Sequence, residues 1–351
     1  MAERQNRPEY SFYDDYSEGA HPRILEALTR SNLNQEAGYG EDSFSQEAAR
    51  LIKEKIGNPE ASVHFVSGGT QANLIVLASI LRPHEAVIAP KTAHINVHEA
   101  GAIETTGHKV FHVDSTDGKI KPEQVVEAVK FHTDEHMVKP RVVFVSNATE
   151  LGTIYTKQEL EALSKVCKEN ELYLYLDGAR LGSALTSKTS DMTLPELSEM
   201  VDVFYIGGTK NGALLGEAIV INNPALQGDF RYHLKQRGAL LAKGRVLGIQ
   251  FLELFKEDLF FNLAKHANEM AQRLTAGLSQ AEYKFLVDSP TNQIFPILPN
   301  SFIERLKEKY GFYVWSEVDA NNSAIRLVTS WATEEENVEQ FLSDLESLSS
   351  K

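Results

Sequence analysis

The feature that most constrains this chain is a repeated alternation of short apolar runs with helical patterns. Runs rich in β-branched and aromatic residues, several apolar on both faces, occupy 63–67, 86–90, 109–114, 141–147, 172–177, 202–207 and 217–222. Successive strand residues point to opposite faces, so a run apolar throughout must be covered on both sides. Segments of helical periodicity lie between them. One is 157–170, where Thr156 stands as an N-cap and Leu160, Leu163 and Val166 share a face. Such alternation predicts an α/β fold with a mostly parallel, helix-covered sheet of seven strands. No internal period of about 20 to 50 residues suggests a repeat protein.

After about Gly244 the texture changes. A long helical pattern over 251–278 leads into an extended segment at 283–298 and a helix at 302–310. Strands at 312–318 and 324–330 and an amphipathic helix from near Glu334 follow. This order reads as a small α+β domain. The expected division is 1–245 for an N-terminal segment with the large domain, and 246–351 for a small C-terminal domain.

Composition narrows the function classes. With 42% hydrophobic and 24% charged residues over 351 positions, the chain has the balance of a globular protein. A net charge of −14 with no basic, aromatic-interleaved stripe argues against nucleic acid as a partner. No apolar run approaches the roughly 20 residues needed to span a bilayer, and the polar, acidic opening stretch lacks the core of a secretory signal. The single cysteine, Cys167, forbids an internal disulfide and reads as a core residue. It fits a reducing compartment, so the cytoplasm is expected.

Four motifs carry chemistry. Ser67-Gly68-Gly69-Thr70 ends a strand and opens a helix, where free N–H groups and the helix dipole favour a phosphate; the alternative is an ordinary capped turn. Asp177, in Asp177-Gly178-Ala179-Arg180, follows an apolar strand and is placed either to pair with a pyridinium nitrogen or to cap the next turn. Lys210, after Gly207-Gly208-Thr209, is either a desolvated nucleophilic amine or a solvated loop lysine. Arg326, inside the apolar run Ala324–Thr329, is a two-pronged carboxylate clamp or half of an internal ion pair. In this order the four supply a phosphate cradle, an electron-sink aspartate, a Schiff-base lysine and a carboxylate-binding arginine. Together they imply a pyridoxal 5'-phosphate (PLP) site acting on an amino acid.

These residues also carry a family resemblance. The chain resembles the low-specificity threonine aldolases, within the β-eliminating lyase group of PLP enzymes, through Tyr39-Gly40-Glu41-Asp42, Gly69-Thr70-Gln71-Ala72-Asn73-Leu74 and Ala93-His94 with Glu99-Ala100-Gly101. Asp177-Gly178-Ala179-Arg180, Lys210 and Ile325-Arg326-Leu327-Val328-Thr329 complete it. The resemblance implies the type I, aspartate-aminotransferase-like PLP fold and cleavage of a β-hydroxy-α-amino acid to glycine and an aldehyde. It further implies that His94 stacks on the cofactor ring and moves protons, and that Gly68, Gly69, Thr70 and Thr209 line the cofactor. Arg180 is expected at the ring's phenolate side or the substrate carboxylate, and Ser17 near that carboxylate. Tyr39 is expected to reach a neighbouring subunit's site in a homodimer or homotetramer.

The chain also departs from the family pattern. Where those aldolases place a histidine at the substrate hydroxyl, this sequence sets Glu150; threonine replaces their serine before the lysine, at Thr209. Lys243 is the candidate replacement for an arginine that reaches a neighbour's phosphate. β-Elimination or transamination on another amino acid are the alternative activities, and a non-catalytic protein of the same fold is a third reading. The pairs His94/His98 and His132/His136 lack the zinc-peptidase pattern, so no metal is expected.

Overall fold

The computed structural model describes residues 8–349; residues 1–7 of the polar opening stretch and residues 350–351 lie outside the described residues. The strands are β1 (Tyr10–Ser11), β2 (Ser62–Val66), β3 (Glu85–Pro90), β4 (Lys109–Val113), β5 (Lys139–Ser146), β6 (Tyr173–Asp177), β7 (Val203–Gly207), β8 (Glu217–Ile221), β9 (Gln293–Ile294), β10 (Ile297–Pro299), β11 (Tyr310–Gly311), β12 (Tyr313–Glu317) and β13 (Asn322–Val328). The apolar runs of the first two thirds of the sequence are β2 to β8, joined in one seven-stranded sheet of order β2-β8-β7-β6-β5-β3-β4.

All pairings in this sheet are parallel except those of β8, which runs antiparallel to both β2 and β7. The cause is the length of its connection. Residues 208–216 alone link β7 to β8, fewer than the dozen or so that a parallel crossover requires. Side chains alternate between two cores. Val143, Val145, Leu174, Leu176, Phe204 and Ile206 pack on one face, and Val142, Phe144, Tyr175, Val203 and Tyr205 on the other. The helix Lys157–Glu169 begins with the expected Thr156 cap, which accepts the Glu159 N–H while the Glu159 carboxylate accepts the Thr156 N–H at 2.8 Å.

The C-terminal third departs in detail from the sequence pattern. In place of one helix over 251–278 there are two, Arg245–Phe255 and Leu259–Gln280, parted at Lys256–Asp258. Glu257 and Asp258 there have left-handed φ values of 54° and 57°. The redirected chain stacks Phe255 on Phe260, with ring centroids 5.4 Å apart in the large core. The extended segment at 283–298 forms only β9 and β10, and the helix expected over 302–310 spans Asn300–Leu306. Tyr310 instead joins β11, which pairs in parallel with β1 from the far end of the chain. A small antiparallel sheet, β10-β13-β12 with β9 also on β13, completes this part.

Two cores meet within helix Leu259–Gln280. Leu259, Phe260 and Leu263 belong to the large core, whereas Met270, Leu274 and Leu278 pack with Phe12, Ile325 and Phe341 in the small one. The change of core therefore lies inside this helix, beyond the 245/246 division drawn from the sequence, because one continuous helix serves both. No helix among the described residues is long and apolar enough to cross a membrane. Cys167 is free and buried, and burial pushes its thiol up to about 12.

Candidate active site

Strands β2, β3, β5, β6 and β7 all end at one edge of the sheet, and the reversed β8 begins there. Loops leaving this edge enclose a cavity of about 320 Å³ lined by Gly68, Gly69, Thr70, His94, Glu150, Asp177, Arg180, Thr209 and Lys210. An adjoining outer chamber of about 490 Å³ shares His94, Glu150, Arg180 and Lys210, and adds Asp14, His98, Tyr313, Trp315 and Arg326. The fold thus gathers residues from five strand ends, separated widely in sequence, into one cavity with Lys210.

Helix Gly69–Ile80 opens onto the inner cavity. Its N-cap, Gly68, has no side chain to satisfy the first-turn N–H groups, and nothing lies within 4 Å of where a Cβ would stand. The first turn is left open to an anion. Across the cavity, the Asp177 carboxylate is fixed by three donors: the Tyr205 hydroxyl at 2.5 Å, the Ala179 N–H at 2.9 Å and the Asn73 amide at 3.2 Å. Three donors hold such a carboxylate rigidly in place.

The amine of Lys210 is held below the usual lysine range, first by burial and then by the Arg180 charge, against the pull of Asp15, Asp177 and Glu217. A buried amine of that kind is more readily the free base that attacks a carbonyl carbon. Arg180 is not a free clamp. Its Nε and Nη2 donate to the two oxygens of Asp15 at 2.7 and 3.1 Å. Burial alone would raise the Asp15 carboxyl, but Arg180 and Lys210 hold it below its ordinary value. One two-pronged face of Arg180, that of Nε and Nη2, is therefore engaged by the protein's own N-terminal segment, which leaves Nη1 and the second Nη2 hydrogen for other partners.

His94 begins the short helix His94–Val97, and its Nδ1 lies 2.8 Å from Glu99 Oε1. That oxygen also accepts from the Asn73 amide at 2.7 Å, and Asn73 in turn reaches Asp177. Glu150 Oε1 accepts the His94 backbone N–H at 3.0 Å and the Ser146 hydroxyl at 2.9 Å. Burial, followed by the nearby Asp177 charge, raises its carboxyl above the ordinary value.

Arg326 stands in the outer chamber between the rings of Tyr313 and Trp315, 4.9 and 5.4 Å from their centroids. Its Nη2 donates to the Tyr13 carbonyl at 3.2 Å and approaches Asp14 at 3.5 Å, while its Nε is buried without a partner. The guanidinium lines the outer chamber with donors to spare, which makes it a place for a carboxylate.

Three residues singled out in the sequence are not brought to this cavity within the chain. Ser17 is exposed and bonds the Asp14 carbonyl at 3.4 Å, while its neighbour Tyr16 lines both chambers. Tyr39, 45% exposed with φ 61°, lines a separate cavity with His64, Phe65 and Arg231. Lys243 is exposed nearby, beyond the Ala242 carbonyl that accepts the Tyr39 N–H. Sequence reasoning gave no role to Asp15, Tyr16, Asn73, Glu99, Tyr205 and Glu217. Asn73 and Glu99 lie in stretches that carry the family resemblance, and Glu217 was visible as a lone charge heading an apolar strand.

A mostly parallel sheet with a lysine at its carboxyl edge and a small C-terminal domain defines the type I fold of PLP-dependent enzymes. Residues 14–300 match the family model of the β-eliminating lyases. The low-specificity L-threonine aldolase of a Pseudomonas strain is 34% identical over 343 residues, covering 96% of this chain and 97% of its own. A Leishmania major threonine aldolase structure superposes with a TM-score of 0.95 at 50% identity, covering 97% of this chain and 99% of that one. An aspartate aminotransferase of Thermus thermophilus, 17% identical with a TM-score of 0.73, covers 98% of this chain and 93% of that one and shares the fold. The chain belongs to the β-eliminating lyase family, in its threonine aldolase branch.

Proposed function

We propose that this protein is a PLP-dependent lyase that breaks the Cα–Cβ bond of a β-hydroxy-α-amino acid, giving glycine and an aldehyde. The observation that carries this reading is the single cavity in which an uncapped helix start, a rigid carboxylate, a desolvated lysine and a raised carboxyl all face one another. The residues fit the cofactor: the start of helix Gly69–Ile80 would hold its phosphate, Asp177 its ring nitrogen, and Lys210 its carbonyl carbon. When bound, PLP supplies a ring that takes up the electron pair of the broken bond.

The chain's own residues supply the rest. Asp177, fixed by Tyr205, Ala179 and Asn73, keeps a proton on the ring nitrogen. His94, held by Glu99, faces the ring. Arg326 receives the substrate carboxylate in the outer chamber, and Arg180 contributes positive charge from its bridge to Asp15. Glu150 accepts the β-hydroxyl proton, and its raised carboxyl makes it a stronger base for that proton than an ordinary glutamate would be. Tyr39 and Lys243, exposed and outside their own chain's cavity, support a homo-oligomer whose sites are completed across the interface. The single buried cysteine supports a cytoplasmic location.

The test is to incubate purified protein and PLP with a panel of β-hydroxy and β-substituted amino acids. Glycine with an equal amount of aldehyde is expected from the β-hydroxy compounds. Ammonia with a keto acid as the dominant products would overturn the reading in favour of elimination.

A further inference from the structure

We infer that Glu217 is a positioning residue for Lys210: its buried carboxyl ties down the loop that carries the lysine and sets the charge its amine experiences. The inference rests on the reading of Lys210 as the amine that attaches the cofactor. Because β8 runs against its neighbours, its first residue lies at the edge where the site forms. Glu217 stands in register with Val66 on one side and Gly207 on the other. It lines the same cavity as Lys210 and is 5% exposed.

The loop is bound to the head of β8 at several points. Glu217 Oε2 accepts the Gly208 N–H at 2.9 Å, the Gly216 carbonyl accepts the N–H groups of Gly208 and Thr209 at 3.1 Å each, and the Gly216 N–H donates to Thr209 Oγ1 at 2.9 Å. An amide side chain would accept the Gly208 N–H equally well at a lower desolvation cost. What the carboxyl adds is an ionisable group beside the amine.

The charges around the pair come from several elements. Lys210 faces Arg180 from the loop after β6, Asp15 from the N-terminal segment, Asp177 from β6 and Glu217 from β8. Glu217 faces Lys210 and Asp177, with the buried phenols of Tyr175 and Tyr205 beside it. Burial favours the uncharged form of each partner, raising Glu217 and lowering Lys210, while their attraction opposes both shifts. An ionised Glu217 holds the proton on the amine, and a protonated one leaves the amine free to bond to carbon. The two titrate as a unit.

The experiment reads the lysine directly in the full chain without cofactor. Lysines are reductively methylated with ¹³C-formaldehyde, the Lys210 signal is identified by its loss in Lys210→Arg, and its shift is followed against pH by NMR. In the wild type the signal should move in two steps, the lower one reporting Glu217. In Glu217→Gln, which keeps the Gly208 contact but removes the charge, the midpoint should fall by about one unit or more. Glu217→Asp, which keeps the charge, should stay near the wild type. A single wild-type step, a midpoint unmoved in Glu217→Gln, or equal shifts in both variants would overturn the inference. Borohydride trapping of PLP on the wild type tests the underlying reading separately. No trapping at Lys210 sinks the lysine's role, whereas normal trapping with an unmoved titration sinks only that of Glu217.

Discussion

Arg326 and Glu150 both line the outer chamber, and each makes a separable demand on substrate. The Arg326 guanidinium is held below its ordinary value by burial and by Arg180, and it keeps one buried donor unsatisfied. Lysine in its place retains the charge but loses the fork. Arg326→Lys should raise KM roughly tenfold while the cofactor absorbance stays intact; an unchanged KM would show that the arginine serves only its contacts with Tyr13 and Asp14. Glu150 acts as a base only when ionised, and its carboxyl is raised. The wild-type kcat should therefore climb with pH through that raised value, and Glu150→Gln should lose the limb and fall on the order of a hundredfold. Equal rates for Glu150→Gln across about pH 6 to 9 would shift the base role to His94 or water. At this scale the sequence was legible where a charge interrupted an apolar strand, as at Arg326. The same signal at Glu217 was present and unused. Asp15 was illegible, because its partners Arg180 and Asn292 lie far along the chain and nothing local in Tyr13-Asp14-Asp15-Tyr16 marks a buried carboxylate.

Element by element, the parallel sheet was read from continuous apolar runs, which only two-sided burial explains, and the opening of a helix at a strand end from Ser67-Gly68-Gly69-Thr70; that its start is uncapped is seen only in the structure. The reversal of β8 and the break between helices Arg245–Phe255 and Leu259–Gln280 are set by tertiary packing. In the sequence 251–278 reads as one helix, since Lys256-Glu257-Asp258 contains no glycine or proline to stop it. The chain nevertheless takes two left-handed residues there so that Phe255 and Phe260 stack. Glu257 is exposed and pairs with Arg23 at 3.1 Å. Glu257→Gly removes the left-handed strain at the loss of a surface ion pair of small worth. The variant should gain about 0.5 to 1 kcal/mol in denaturant unfolding with activity unchanged. A loss of stability would mean that the Arg23 contact outweighs the strain.

For the whole molecule, the site is assembled by segments that cross between its two cores. The N-terminal segment pairs β1 with β11, buries Phe12 in the small core, and sends Asp15 to Arg180 of the large one. Arg326 comes from the small sheet, so both cores must be in place before the cavity has its full set of charges. Tyr39 and Lys243 do not join that cavity from their own chain, although Tyr39 belongs to a stretch that resembles an aldolase site segment and Lys243 is the candidate replacement for an arginine of another. On the proposed homo-oligomer, a second copy would supply them, and two-fold symmetry would place each Tyr39 at the other chain's site. Complementation tests this directly. Lys210→Ala leaves its own cavity without the attaching amine but retains Tyr39; Tyr39→Ala retains the amine but cannot complete its neighbour. When the two are co-expressed and mix freely, half of the dimers are hybrids, and each hybrid has one site with both residues intact. Activity should recover to about one quarter of the wild type, well above the sum of the two parents. Recovery no greater than that sum, or a fully active monomer in sedimentation at assay concentration, would place Tyr39 in packing alone and leave each chain with a self-sufficient site.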